Sequence, residues 1–379
     1  MAQRLKTDWT LFATTLAMAF FGLVMIYSAS VSTVDPASRS PLPFAGKQFA
    51  IMAGGIVLLM VLKRVDYTVF RQPLWAFGPL GLVMVALVAV YFLDPKTHRW
   101  IRVPGIQIQP AEFAKPALAL FLAWFVTRRM SAINSRYTIG PAAAVLALLA
   151  LLVLLGDLGT MLLLLMMAAA VFYVAGISRK YFIAACVGIV MLAVGGIAAK
   201  PYRLLRVMPY IDPTGEMVAS SPMLMKLKQR AEASLATRDS KYQQRQAVIA
   251  VGSGGPLGLG LMQGRQKMAY LPAAHTDFIY AVVGEELGLW GSVSVLAGYM
   301  IILWRGLRLF WVAHDDFGRY LALAIVVCLV GQALINVSVV LDLGPTKGFP
   351  LPLISYGGSG LLSCLMSMGL VLSVSERCG

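Results

Sequence analysis

Charge is scarce in this chain. Asp, Glu, Lys and Arg together make up 13% of its 379 residues, against about a quarter in a soluble globular protein. With 59% of residues hydrophobic, a soluble domain is excluded. Acidic residues are the scarcer sign, 17 against 32 basic, for a formal charge of +15. That balance would suit nucleic acid if the cations shared one soluble face. They are instead scattered over loops between apolar runs, where membrane orientation and anionic headgroups explain them better, so no nucleic-acid partner is expected. Cysteine is sparse and unpatterned. Cys186, Cys328, Cys364 and Cys378 show no paired spacing and three lie in apolar runs, which indicates neither a disulfide framework nor a zinc site. No cleaved signal is recognisable, and the first apolar run is long enough to be expected to stay in the membrane. The absence of an apparent internal repeat disfavours an inverted-repeat transporter.

What the chain does have is a succession of apolar stretches of bilayer-crossing length. Spans are predicted over 9–29, 46–62, 74–93, 112–127, 139–156, 158–176, 181–199, 277–304, 319–341 and 352–374. The expected fold is therefore an all-α polytopic membrane protein of ten transmembrane helices, one membrane domain over 1–379. A single large extracytoplasmic loop at 200–276 separates the seventh and eighth spans. The fifth and sixth are parted only by Gly156-Asp157-Leu158-Gly159, read as a tight hairpin because one helix of that length would far exceed the bilayer. Outside the long loop, fourteen Lys and Arg fall on the side of the termini and six on the other. The positive-inside rule then puts both termini in the cytoplasm. Within the long loop, Pro222 to Val251 has helical periodicity, suiting an amphipathic helix on the membrane surface or a docking face for a partner.

Polar residues gather near the outer surface. His275, Thr276 and Asp277 end the long loop. Gln109, Glu112 and Lys115 open the fourth span, and Arg99, Trp100 and Arg102 precede it. Lys347 and Ser355-Tyr356-Gly357-Gly358-Ser359 lead into the tenth, while Arg265, Gln266 and Lys267 follow the glycine-rich run GSGGPLGLGL at 252–261. Taken singly, these have plain readings. Glu112 and Lys115, three apart on one helical face, make a structural pair or a catalytic one. The glycine run matches no P-loop and suits close packing or bending better than phosphate. Glu285 and Glu286, roughly 12–14 Å along a helix from Asp277, suit pairing with another helix or a proton relay. Asp157 suits a hairpin or helix N-cap. Asp277 differs by position: a carboxylate at the outer interface, with cations on adjacent loops, could take a proton from an amphiphile's headgroup.

Several long strings, in order, carry a resemblance over nearly the whole chain: HRWIRVPGIQIQPAEFAK (98–115), GDLGT (156–160), YQQRQAVIAVGSGGPLGLGL (242–261), RQKMAYLPAAHTDFIYAVVGEELG (265–288) and PTKGFPLPLISYGGSG (345–360). They resemble the SEDS family (shape, elongation, division and sporulation), ten-span peptidoglycan glycosyltransferases. RQKMAYLP and PTKG are more similar to its division branch, FtsW, than to its elongation branch, RodA. The resemblance implies polymerisation of lipid II into β-1,4-linked glycan with release of undecaprenyl diphosphate. It makes Asp277, in the family's HTDF motif, the catalytic general base. Cations or a divalent metal, Mg or Mn, would hold the departing diphosphate, with Lys115, Arg99, Arg265 and Lys267 as the side-chain candidates. Glu112 would orient Lys115 or help hold the metal, and His275 and Ser355 complete the substrate-binding set; no organic cofactor is implied. The lipid tail would lie in a groove between spans.

The resemblance also implies a bacterial inner-membrane location and a class B penicillin-binding protein as partner, within the divisome or elongasome. A lipid II flippase is the alternative function, for which Glu285 and Glu286 are the best argument; a division scaffold is a third. Two departures from the family pattern stand out. Residues 216–241 lengthen the long loop, and the usual EPDLGT reads LGDLGT.

Overall fold

A computed structural model describes residues 7–30, 42–95, 97–103, 106–198, 203, 206–208, 210, 212, 225, 236–268, 271–345 and 348–378. Its helices are α1 (Trp9–Ser30), α2 (Leu42–Arg64), α3 (Pro73–Leu93), α4 (Pro110–Arg129), α5 (Arg136–Gly156), α6 (Leu158–Val174), α7 (Arg179–Ala198), α8 (Ala236–Ser253), α9 (Ile279–Val312), α10 (Asp316–Val340) and α11 (Gly358–Glu376). All but α8 coincide with the ten predicted stretches. Eight of those ten are long and apolar enough to cross a membrane. The other two are α4, which carries Glu112, Lys115, Arg128 and Arg129, and α6, which has 17 residues. The chain is thus a multi-pass helical membrane protein.

α10 and α11 are largely buried and α4 packs against both, while α7 is almost wholly exposed. Exposed Leu82, Phe92, Val187 and Met191 form part of the outer surface that lipid covers. The first and last described residues lie at one end of the bundle. Thr7 Oγ1 donates to Glu376 Oε1 (2.7 Å), Lys63 pairs with the same carboxylate (3.1 Å), and Arg305 pairs with Asp8 (2.6 Å). The first residue of α9, and with it Asp277, is at the opposite end.

The predicted α5–α6 hairpin is present. Asp157 caps α6, its Oδ1 accepting from the amides of Gly159 (2.9 Å) and Thr160 (3.3 Å), which satisfies two otherwise orphaned donors. Gly156 is needed for another reason: a Cβ there would collide with the carbonyl of His98, so only glycine lets the loop after α3 cross the hairpin. Beyond that crossing the chain makes a short antiparallel hairpin, β1 (Ile101–Val103) with β2 (Ile106–Ile108), in the register Ile101↔Ile108. This is an addition to the all-helical expectation.

α9 overruns its predicted end at 304, and its 34 residues contain a break at Gly288 (φ 63°, ψ −156°). Exposed Trp290 and Trp311 are separated by about 32 Å of helix, close to the ~30 Å hydrocarbon thickness that interfacial tryptophans bracket. The turns before Gly288 therefore project beyond the hydrocarbon. α8 lies against α9 with Ala247 and Ala250 buried. From Ala236 on, the expected membrane-surface helix is thus docked on the protein, because its two alanines, three apart, present a flat face. The remainder of the 216–241 extension, apart from Met225, lies outside the described residues, as does Lys347.

Candidate active site

The site forms where two loops meet above α10. Asn336 Nδ2 donates to the backbone carbonyls of both Asp277 (2.7 Å) and Phe349 (2.5 Å), clamping the segment before α9 to the segment before α11. Ser355 tightens the clamp: its hydroxyl donates to Thr276 O (2.6 Å) and accepts from Leu351 N (2.7 Å), while the Tyr356 amide donates to His275 O (3.0 Å). A cavity of about 190 Å³ opens beside this junction, lined among others by Asp277, Arg99, Trp100, Gln109, Glu112, Gln332 and Tyr356. Below it, Lys115 Nζ donates to Glu112 Oε2 (2.7 Å) and Gln332 Oε1 (2.6 Å), and Gln332 Nε2 donates on to Pro350 O (2.8 Å). All three side chains are buried. This ion pair is tolerable there because charge and hydrogen bonds compensate both partners.

Arg99 enters from the α3–β1 loop, which Asp94 shapes. Asp94 Oδ2 accepts from the Thr97 hydroxyl and from the amides of Arg99 (3.4 Å) and Trp100 (3.3 Å). The Thr97 hydroxyl above all, with the backbone donors behind it, holds that carboxyl down at about 2. Arg99 Nη2 reaches Asp157 Oδ2 at 2.9 Å, so the α6 cap is also an ion-pair partner. On the far side of Arg99 a second cavity of about 140 Å³ is lined by Asp157, Arg203, Arg206 and Gly348. Arg203 is braced by the carbonyls of Gly196 (2.9 Å) and Leu154 (3.3 Å).

Asp277 lies within electrostatic reach of Arg99 and Arg206, with no hydrogen bond or ion pair to its carboxylate among the described residues. Burial pushes its pKa up to about 6, Asp157 adding to the rise while Arg99 and Arg206 oppose it. A carboxylate ionised just below neutrality, unengaged and facing a cavity, suits a general base. Burial lowers His275. Its ring lies 5.9 Å from Phe44 and 5.6 Å from Tyr356, centroid to centroid, forming an aromatic rim. Gln109 Nε2 and Arg99 Nε are buried without a hydrogen-bond partner among the described residues, leaving two donors for a ligand.

Of the residues expected from sequence, Asp277, Arg99, Glu112 and Ser355 come together at the first cavity, with Lys115 beneath and His275 on the rim. Ser355 spends its hydroxyl on the clamp. Arg265 and Lys267 are not brought there. Arg265 is exposed, its backbone amide donating to Glu285 Oε1 (2.7 Å). Lys267 is fully buried, with its three donors directed to Glu286 Oε1 (2.5 Å), Ser28 Oγ (2.8 Å) and Ser28 O (3.1 Å). An ammonium so occupied has nothing left for a diphosphate. Glu285 also accepts from Gln266 N (2.9 Å), and Glu286 from Met262 N (3.1 Å) and the Ser28 hydroxyl (2.8 Å). The two glutamates thus hold the 259–267 strap and α1. The glycine-rich run packs against them: Leu259 and Gly260 amides donate to the carbonyls of Glu285 and Glu286, each at 3.0 Å.

Sequence reasoning missed Arg203, Arg206, Gln332 and Asn336. The first pair carries a signal, since RLLR puts both on one helical face; the second pair is two polar residues four apart inside an apolar span, again one face. For a divalent metal, no cluster of three or more His, Cys, Asp or Glu side chains exists among the described residues. The Asp157 oxygens are taken by Arg99, Thr160 and Gly159 and Glu112 Oε2 by Lys115, which leaves Asp277 as the cavity carboxylate with no bond among the described residues. That set fits an ion held mainly by substrate phosphates and water, as Mg²⁺ commonly is, rather than a resident protein cage.

Comparison with known proteins gives the family. Residues 8–378 match the FtsW/RodA/SpoVE family, described as cell cycle protein, and the chain belongs to that family. Among its relatives, a probable peptidoglycan glycosyltransferase FtsW from Geobacter metallireducens is 34% identical, covering 98% of this chain and 95% of its own. Stage V sporulation protein E of Bacillus subtilis is 33% identical, covering 99% and 98%. Two solved structures share the fold at 24% identity. One is a chain of a peptidoglycan synthase complex that coordinates polymerization and crosslinking (TM-score 0.75, 99% of both chains). The other is the rod shape determining protein RodA of Thermus thermophilus (TM-score 0.68, 98% of both).

Proposed function

We infer that this protein is a peptidoglycan glycosyltransferase that polymerises lipid II. The observation that carries the reading is Asp277: a carboxylate with its pKa near 6, unengaged among the described residues, facing a cavity that also holds the Arg99 guanidinium and the Gln109 and Trp100 donors. In the reaction a sugar hydroxyl of one lipid II attacks the anomeric carbon of the other chain. The hydroxyl proton passes to Asp277, the new glycosidic C–O bond forms, and the bond to the diphosphate oxygen breaks with its electron pair. Inversion follows from a single displacement. Arg99, with Arg203 and Arg206 behind it, supplies preorganised positive charge for the departing undecaprenyl diphosphate. Gln109 Nε2 is a further donor toward the sugars, and the Lys115–Glu112–Gln332 network fixes the cavity floor. A divalent cation, Mg²⁺ or Mn²⁺, is a proposed cofactor that would be held mainly by the diphosphate oxygens and water, where it would neutralise diphosphate charge and leave Asp277 free to take the proton.

The setting proposed is the bacterial inner membrane with both termini cytoplasmic, supported by the positive-inside bias. A class B penicillin-binding protein is the proposed partner and division the proposed process, given that FtsW and sporulation proteins are among the relatives. The flippase alternative loses its main support because Glu285 and Glu286 hold a strap instead of lining a path through the bilayer. The test is polymerisation of lipid II by purified protein with its transpeptidase. Asp277→Ala is expected to abolish glycan product while folding and partner binding persist. Normal polymer from that variant, or transbilayer movement of labelled lipid II without glycan, would overturn the reading.

A further inference from the structure

An apolar recess opens on a part of the bundle that shares no lining residue with the Asp277 cavity. It is a groove of about 370 Å³ walled by α5 and α7 and floored by α6, with Ala143 and Ala147 on one wall and Ala185 and Gly188 on the other. Small residues hollow it out, and nothing among the described residues fills it. Its α7 wall runs from Tyr181 to Leu192, about 16 Å of helix. That is half the ~30 Å hydrocarbon, so the groove spans one leaflet, the one on the side of the termini. A bilayer-facing groove left empty would forfeit the dispersion contacts of its lining.

Its mouth is basic. Asn134 joins the α4–α5 and α6–α7 turns, accepting from Ser178 N (2.5 Å) and donating to Gly176 O (3.2 Å). This bond brings the N-terminal ends of α5 and α7 to one opening. Arg136, Arg179 and Lys180 stand there, all exposed, and the two helix dipoles point their positive ends the same way. Hydrocarbon depth ending in three cations describes one kind of occupant. We propose that the groove is a binding site for an anionic glycerophospholipid of the leaflet on the termini side, one acyl chain between α5 and α7 and its phosphate at Arg136, Arg179 and Lys180.

Native mass spectrometry of delipidated protein offered equal dioleoyl-phosphatidylglycerol and dioleoyl-phosphatidylcholine tests this. One tightly retained phosphatidylglycerol is expected, favoured about tenfold or more given the attraction of each basic residue near the surface. Gly188→Leu should remove the adduct, and the substitution has room, because a Cβ at Gly188 meets nothing within 4 Å. Ala143→Leu fills the opposite wall and should act alike, which covers the case of one variant folding poorly. Replacing Arg136, Arg179 and Lys180 together by Gln should equalise the two lipids while a chain still binds. Equal retention of both lipids by the unaltered protein, or an unchanged adduct in a folded groove-filling variant, would overturn the proposal.

Discussion

The carboxylate of Asp277 rests directly against Gly348: a Cβ placed on that glycine would meet Oδ2. The contact couples the loop before α11 to the proposed base. Gly348→Ala should therefore displace the carboxylate while leaving the fold intact, since a side-chain end can move where backbone cannot. A misplacement on the order of 1 Å can cost about 100-fold in rate. Lipid II polymerisation should fall by that order with the melting temperature little changed; a large drop in melting temperature would instead mark Gly348 as a packing residue.

The Asp277 pKa sets an acid limb. Below about pH 6 the carboxyl is protonated and cannot accept the sugar proton, so polymerisation should fall as pH drops through that value. Arg99 holds the pKa down, so Arg99→Gln should move the limb to higher pH as well as slow the reaction. A limb that stays in place in the Arg99 variant would separate it from Asp277.

The same shift carries a stability consequence of opposite direction to the usual aspartate. The folded pKa of Asp277, about 6, lies above the ordinary 3.8. Its contribution is fully present below about pH 4 and is lost as pH rises through 6. At pH 8 the protein bears a desolvated charge that an amide avoids, so Asp277→Asn should melt higher than the unaltered protein there, by up to about 3 kcal/mol. At pH 4 the difference should vanish. Thermal melts at both pH values decide it.

Much of this was legible beforehand, for identifiable reasons. Apolar run lengths give the helices because a bilayer fixes the length of a span, and the Gly156-Asp157 break gave the hairpin. Asp277, Arg99, Glu112 and Lys115 could be found as polar residues clustered at span ends. Pairings between distant segments were not legible. Nothing in the local pattern says that Asn336 holds the Asp277 backbone, or that Lys267 turns inward to Glu286 and Ser28 while Arg99 turns toward Asp157. Lysine and arginine near a motif look alike in sequence, and only burial separates the strut from the ligand. Arg203 and Arg206 were passed over because a long loop obscures which of its cations return to the bundle.

Lys267 gives the sharpest separation between those two roles. If its ammonium held diphosphate, Lys267→Met would weaken substrate binding and leave the protein stable. The buried contacts to Glu286 and Ser28 say otherwise. Removing one partner of a buried pair leaves an uncompensated charge and costs about 3–5 kcal/mol, here at the strap that leads into the Asp277 segment. Lys267→Met should lower the melting temperature steeply. Adding Glu286→Gln should restore much of the loss, because the glutamine is neutral and still offers the Ser28 hydroxyl and Met262 amide an acceptor. A stable Lys267→Met protein with weakened lipid II binding would return Lys267 to the diphosphate site.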